Sequence, residues 1–387
     1  MFLDPLLRRN RAFVDAAMSL HAEGAVPANS YVLDLDAVRH NARTLQAEAD
    51  RLGLELFAMT KQVGRNPAFL DALRDAGVTR CVAVDMECAR IVHREGLTVG
   101  HLGHLVQVPR GEASQAARMA PENWTVFSAD KAREAAAAAS ALGREQDLLA
   151  RIQAPGDTFY TGHEGGFAAD QVRRVAAMLN GLDGARFAGI TTFPALLYDP
   201  EAQVVRPTPN LATLARASAA LGSDVRVNAP GTTSVEVLEM LAQHGATQVE
   251  PGHALTGTTP LHAVRDLPEL PAALYLSEIS HHHGGRAYFF GGGLYVDPVF
   301  PTYPVRALVG DRLIDAELPP PAAIDYYGQL LPGDGPMPAA GETVVLGFRI
   351  QAFVTRAHVA AIDGVAAGAP RLAGVWTSAG DPVEPPR

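Results

Sequence analysis

Cysteine is nearly absent: the 387-residue chain has two, Cys81 and Cys88, seven positions apart in "CVAVDMEC". No histidine stands at zinc-ligand spacing from them, so neither a disulfide framework nor a zinc ribbon is supported, and the pair reads as reduced, buried thiols. Long apolar runs are missing too. No uncharged span of about 18 residues occurs, which leaves no candidate membrane-spanning helix. The opening "MFLDPLLRRNRAFVDAAMSL" carries an Asp and an Arg pair where a signal peptide needs an uninterrupted apolar core. The expected location is the cytoplasm. Positive charge is not in excess either: 32 Lys and Arg against 42 Asp and Glu give a formal charge of -10 and a pI near 5.7. That balance argues against nucleic acid or an anionic membrane as partner, since both need clustered cations. An enzyme acting on a small molecule fits better, and 48% apolar residues suffice for a large core plus a smaller second domain.

What is present is regular alternation. From about Tyr31 to Gly257, short apolar runs ("YVLDLD", "LELFAMT", "RCVAVD", "GHLGHLV", "TVFSAD", "LLARIQA", "FAGITTF", "DVRVNA", "ATQVEPG") alternate with helical segments such as "DKAREAAAAASAL" and "TTSVEVLEMLAQHG". This pattern predicts parallel strands joined by crossover helices, and eight such units close a (β/α)8 barrel. The rival is a doubly wound open sheet, which would carry a Gly-rich dinucleotide loop after its first strand; none is there. Beyond Pro260, clusters of proline and glycine separate alternating runs such as "ALYLSEISHH" and "RAYFFGGGLYV", the pattern of an antiparallel β domain. The expected organisation is therefore a helical extension over 1–29, a barrel over 30–260 and a β domain over 261–387.

In a barrel of this kind the chemistry sits at the C-terminal ends of the strands. The run "LELFAMTK" ends there in Lys61, an odd terminus for a strand that otherwise reads as buried. At other strand ends, "VNAPGTTS" sets a Pro-Gly turn and the hydroxyls of Thr232, Thr233 and Ser234 before a helix, which makes an anion site. In "VEPGHALTG" a carboxylate, Glu250, precedes Gly252, where backbone can approach a ligand. An amine, a phosphate cradle and a partner for a pyridine nitrogen are the set that pyridoxal 5'-phosphate (PLP) requires, so Lys61 is expected to be its covalent anchor.

The stretch "YVLDLDAVRHNARTL" followed by a strand ending "AMTK" resembles the entry to alanine-racemase-like, fold type III PLP proteins, and "EPGHALTG" resembles their eighth barrel strand. Together with "MTKQVGRNP", "HLGHLVQVP", "PTPNL", "NAPGTTS" and "SEISHH", these motifs most resemble the YhfX branch, over almost the full length. The resemblance implies a PLP-bearing barrel, a C-terminal β domain and a homodimer with composite active sites. It makes Lys61 the Schiff-base lysine and places Arg65 where alanine racemases have a phosphate-binding Tyr. Gly231, Thr232 and Thr233 fall in the phosphate loop that opens at Asn228, and Gly252 and His253 offer backbone N–H groups to the same phosphate. His104 is counted in the cofactor set, and His101 and His104 read as hydrogen-bond partners at the barrel mouth.

Three positions depart from the racemases. Glu250 stands where they have an Arg against the pyridine nitrogen, Glu164 near another of their Arg positions, and Thr192 where many relatives have His. A carboxylate at position 250 keeps the ring nitrogen protonated and makes it a strong electron sink, as in the family's amino-acid decarboxylases. Racemisation needs two acid–base groups on opposite faces of Cα. Lys61 serves one, and Tyr288 or His282, in "SHHHGGRAYFFGGGLY", is the candidate for the other. No metal site is assigned; the His281–His283 run reads as a polar strand. The expected activity is a PLP-dependent amino-acid racemase. The alternatives are a decarboxylase, favoured by Glu250, and a non-catalytic PLP carrier, suggested by "GHLVQ" but disfavoured by the additional β domain.

Overall fold

The computed structural model describes residues 1–296, 304–320 and 323–384. Its described strands form two large sheets and a two-stranded one, Leu196–Asp199 with Val204–Pro207, and each large sheet belongs to one of two compact units. The first unit comprises Arg43–Thr60 and Gly77–Gly252, and the second Met1–Ala42, Lys61–Ala76 and His253–Arg387.

The unit containing residues 77–252 is a parallel barrel. Its staves are Glu55–Leu56 continued by Ala58–Met59, then Arg80–Ala83, Thr98–Leu102, Asn123–Val126, Gln146–Gln153, Ala185–Thr191, Arg226–Asn228 and Gln248–Val249. The two halves of the first stave close the ring. Glu55–Leu56 pairs with the last stave, and Ala58–Met59 pairs with the second. The amide of Phe57 between them donates to Val249 O at 3.0 Å. Crossover helices begin where the sequence supplies caps: Asp85 accepts from Cys88 N at 2.8 Å and Ser128 from Lys131 N at 3.3 Å. Gly189 in the sixth stave is dictated by packing, since a Cβ there would stand 2.1 Å from Arg226 O of the seventh.

The other unit is built on an antiparallel sheet in which Arg286–Phe290, Tyr327–Leu330, Arg312–Glu317, Val305–Val309, Thr343–Leu346 and Ala273–His283 follow one another. A pairing of the last with the first closes these six into a second, smaller ring. The helices Leu3–Arg9 and Arg11–Ala22 bury Leu3, Leu6, Phe13, Val14 and Ala17 against Val32, Leu274, Leu276, Val345 and Ile362. Their apolar stripe is thus used up within the unit.

One strand is not where the sequence pattern puts it. Ser30–Asp34, the "YVLD" run, is not a barrel stave. It lies in the β sheet, antiparallel to Ala273–His283 and parallel to His358–Asp363. All five of its residues are buried. A strand covered on both faces has the same continuous apolar signature in either sheet, so periodicity alone cannot assign it. The compact units are accordingly not contiguous along the chain. Among the described residues no helix is long and apolar enough to cross a membrane.

Candidate active site

The register of the barrel brings six polar side chains to one interior level near the C-terminal ends of the staves. Thr125 pairs with Leu149, two residues before Arg151, and Arg151 pairs with Thr191, which pairs with Asn228. Partners in a parallel ladder point to the same face. His101 and Glu250 join this layer from the third stave and from the residue after the eighth. All six are buried, with Glu250 the most accessible at 5%.

Glu250 organises the layer. Its Oε1 accepts from His101 Nδ1, and from Asn228 Nδ2 at 2.8 Å. A carboxylate can only accept, so His101 must carry its proton on Nδ1; its Nε2 lies 2.5 Å from the Thr125 hydroxyl. The amide of Asn228 is oriented from behind, where its Oδ1 accepts from Thr191 Oγ1 at 2.7 Å. The second carboxylate oxygen, Oε2, has no hydrogen-bond partner, although His104 Nε2 stands 3.5 Å away. Burial disfavours the ionised form, but the imidazoles of His104 and His101, with the hydrogen bonds from His101 and Asn228, hold the carboxyl at about 2. Glu250 is therefore an anion at neutral pH with one open acceptor. Donor atoms of His101, His104 and Glu250 lie within 4.8 Å of one another, a spacing that could also take a metal ion. Both nitrogens of His101 are already engaged, however, so a metal would have to displace Glu250 or Thr125.

The loop after the seventh stave has the features of an anion cradle. Gly231 sits at φ 134 and Thr232 at φ 46. A Cβ on Gly231 would meet Leu196 O at 2.9 Å, so glycine is required there for both reasons. The nine-residue helix Val235–Gln243 starts at Ser234, whose hydroxyl does not cap it. That hydroxyl and the one on Thr233 are buried without partners. Two idle hydroxyls at a helix N-terminus suit a bound oxyanion.

Lys61 follows the first stave by two residues and opens the turn Lys61–Val63, within the unit that carries the β domain. Its Nζ lies 5.3 Å from the centre of the Phe353 ring. Arg65 is buried and adopts φ 54, and Asn66 caps the helix Pro67–Asp75 by accepting from Phe69 N at 3.1 Å. In the same unit His253 Nε2 donates to Ile350 O at 2.9 Å, and Arg349 Nη2 approaches its Nδ1 at 3.3 Å. Burial, then the positive charge of Arg349, push His253 well below its usual range, so it is neutral.

The remaining expected residues are spread over other elements. Thr192 is buried beside Asn210, 3.4 Å from its Nδ2, and Glu164 is exposed in the loop after the fifth stave. His281 stacks on Tyr288 with ring centres 4.7 Å apart and meets Tyr327 edge-on at 5.0 Å. His282 Nε2 donates to Pro338 O at 2.7 Å. Sequence reasoning passed over Thr125, Thr191 and Arg151. Arg151 did leave a signal, a cation within the apolar run "LLARIQA". Thr125 and Thr191 left none, because threonine is an ordinary strand residue.

Two family models match the chain: the alanine racemase N-terminal domain over residues 33–260 and the YhfX-like C-terminal domain over residues 274–372. The Escherichia coli (strain K12) protein YhfX is 41% identical over 98% of this chain and 99% of its own length. Among solved structures, D-threonine aldolase from Filomicrobium marinum superposes with a TM-score of 0.67 at 21% identity, covering 91% of this chain and 95% of its own. D-threo-3-hydroxyaspartate dehydratase from Delftia sp. HT23 gives 0.65 at 19% identity, with 91% and 97% covered. Alanine racemase from Clostridium difficile 630 gives 0.62 at 16% identity, with 91% and 99% covered.

The state of Glu250 can be measured through stability. Its value in the folded protein, about 2, lies below the ordinary 4.5. Its contribution is therefore complete above pH 4.5 and lost as pH falls toward 2. Between those limits the natural protein should lose roughly 3 kcal/mol relative to Glu250→Gln, at about 1.4 kcal/mol per pH unit. Urea unfolding of both proteins at stepped pH checks this, and parallel stability curves would show that Glu250 is not a buried anion.

Proposed function

Because the chain belongs to the YhfX branch of the alanine racemase-like family, we propose that it is a PLP-dependent enzyme acting at the Cα of an amino acid, and specifically a racemase. The observation that carries this reading is the open oxygen of Glu250, an ionised acceptor buried in the barrel's polar layer that can take a hydrogen bond from a protonated ring nitrogen. The idle hydroxyls of Thr233 and Ser234 at the start of Val235–Gln243 add a place for a phosphate. Both features lie on the barrel itself and suit the cofactor that the fold family generally binds.

When bound, PLP supplies a conjugated ring that draws electrons away from the substrate's Cα. The chain does the rest. Lys61 would hold the cofactor covalently, and its amine would move a proton at one face of Cα. Glu250 Oε2 would keep the proton on the pyridine nitrogen, while His101 and Asn228 fix the carboxylate's orientation through Oε1. His104 faces the open oxygen and limits its access to water. By the family resemblance Gly231, Thr232, Thr233, Gly252, His253 and Arg65 would hold the phosphate, and Thr192 and Glu164 would contact the cofactor. Tyr288 or His282, which lie on opposite faces of their sheet, would serve the opposite face of Cα from the β domain of a second subunit, so the working species is a homodimer.

Chiral and mass analysis after incubation with single L-amino acids should show the D-enantiomer at unchanged mass. A product lighter by one carbon dioxide would make the enzyme a decarboxylase, and bound cofactor without product would make it a carrier. On the same preparation, borohydride should fix a pyridoxyl group on the peptide containing Lys61 and on no other. Light scattering should give twice the chain mass of 40.9 kDa for the active species; an active monomer would remove the composite site.

A further inference from the structure

Arg151 has no part in the scheme above, and its surroundings call for a ligand. It is the largest fully buried side chain among the described residues, at 1% exposure, and its place opposite Thr191 puts it on the interior face of the barrel. One nitrogen is satisfied: Nη2 donates to His163 O at 2.7 Å and to Phe193 O at 3.3 Å. The other two, Nε and Nη1, are buried with no partner. Among the described residues no carboxylate lies within ion-pair distance, and the acid that acts on it, Glu164, is exposed.

Burial lowers the guanidinium to about 10, with Glu164 opposing, so it remains a cation at neutral pH. A buried charge is normally paired, because isolation from water is costly. The chain itself supplies aromatic walls instead of an anion, with the Phe127 ring 4.6 Å and the Phe159 ring 5.9 Å from the guanidinium carbon. Stacking fixes the plane of the fork and leaves its edges free. Phe193 connects this cation to His104: its ring meets His104 edge-on at 5.4 Å, and its carbonyl accepts from Arg151. The idle hydroxyls of Thr233 and Ser234 follow the seventh stave, whereas Arg151 belongs to the fifth, so the two groups are offered by different elements.

We propose that Arg151 is the anion subsite of the substrate pocket, where Nε and Nη1 bind the carboxylate of an amino acid. The assignment rests on the PLP-dependent reading above and extends it to substrate recognition. A rigid, stacked guanidinium that already donates twice to backbone is held in place before the substrate arrives. The substrate's carboxylate then supplies the missing counter-charge.

The test compares two reagents that capture bound PLP as oximes, aminooxyacetate with a carboxylate and methoxyamine without one. In the cofactor-loaded natural protein aminooxyacetate should react at least tenfold faster than methoxyamine. Arg151→Gln should bring that ratio close to its value with free PLP, and Arg151→Lys should leave it in between. A ratio unchanged by both substitutions, or absent from the natural protein, overturns the proposal. Calorimetric titration with succinate, with and without cofactor, is the second readout, and it expects binding at least tenfold weaker in Arg151→Gln. Failure of the natural protein to form either oxime would count against the cofactor, while the succinate titration would still decide Arg151: tenfold weakening supports the subsite, and equal affinity removes it. A substitution that shifts the absorbance of bound PLP yet leaves succinate affinity intact would mean that Arg151 faces the cofactor, which also overturns the proposal.

Discussion

An ionised carboxylate inside a barrel constrains everything around it. Glu250 is wholly surrounded by protein, so each charge-bearing oxygen needs either a donor from the chain or one brought by a ligand. The chain satisfies only Oε1. To do so it commits His101 from the third stave and Asn228 from the seventh, and it braces them with Thr125 and Thr191. Four staves thus converge on a single oxygen and leave its neighbour open. A fold that required only stability could place an apolar residue at position 250 and dispense with the whole network. Such arrangements are the mark of a site held ready for a ligand.

The barrel itself was legible in the sequence. Short apolar runs at regular spacing, capped helices and glycine-bearing strand ends named all eight staves, because parallel strands and their crossovers have a strong local signature. The strand ends also pointed to Lys61, to the loop at Gly231 and to Glu250, since each sets a reactive or permissive residue where the run stops. Two kinds of information were beyond reach. The strand at Tyr31 has the composition of a stave, yet it pairs with Ala273–His283 and His358–Asp363, partners more than 200 residues away in the chain. The network behind Glu250 depends on ladder register, which decides whether Thr125 or its neighbour faces inward, and a one-residue slip would reverse the answer.

The relatives with this architecture carry the names of an aldolase, a dehydratase and a racemase. A shared fold therefore leaves the reaction open, and the chemistry must be argued from the side chains around the site. Under the proposed function those side chains would keep a pyridine nitrogen protonated, a state that lowers the barrier to breaking a bond at Cα whichever bond is broken. The choice between bonds falls to the groups that grip the substrate.

The protonation state of the ring nitrogen is the central claim, and nitrogen-15 magnetic resonance reads it without turnover. With PLP labelled at the pyridine nitrogen and bound to the natural protein, the account predicts the chemical shift of a protonated pyridinium, unchanged across neutral pH. The shift of a bare pyridine nitrogen in the same complex would contradict it.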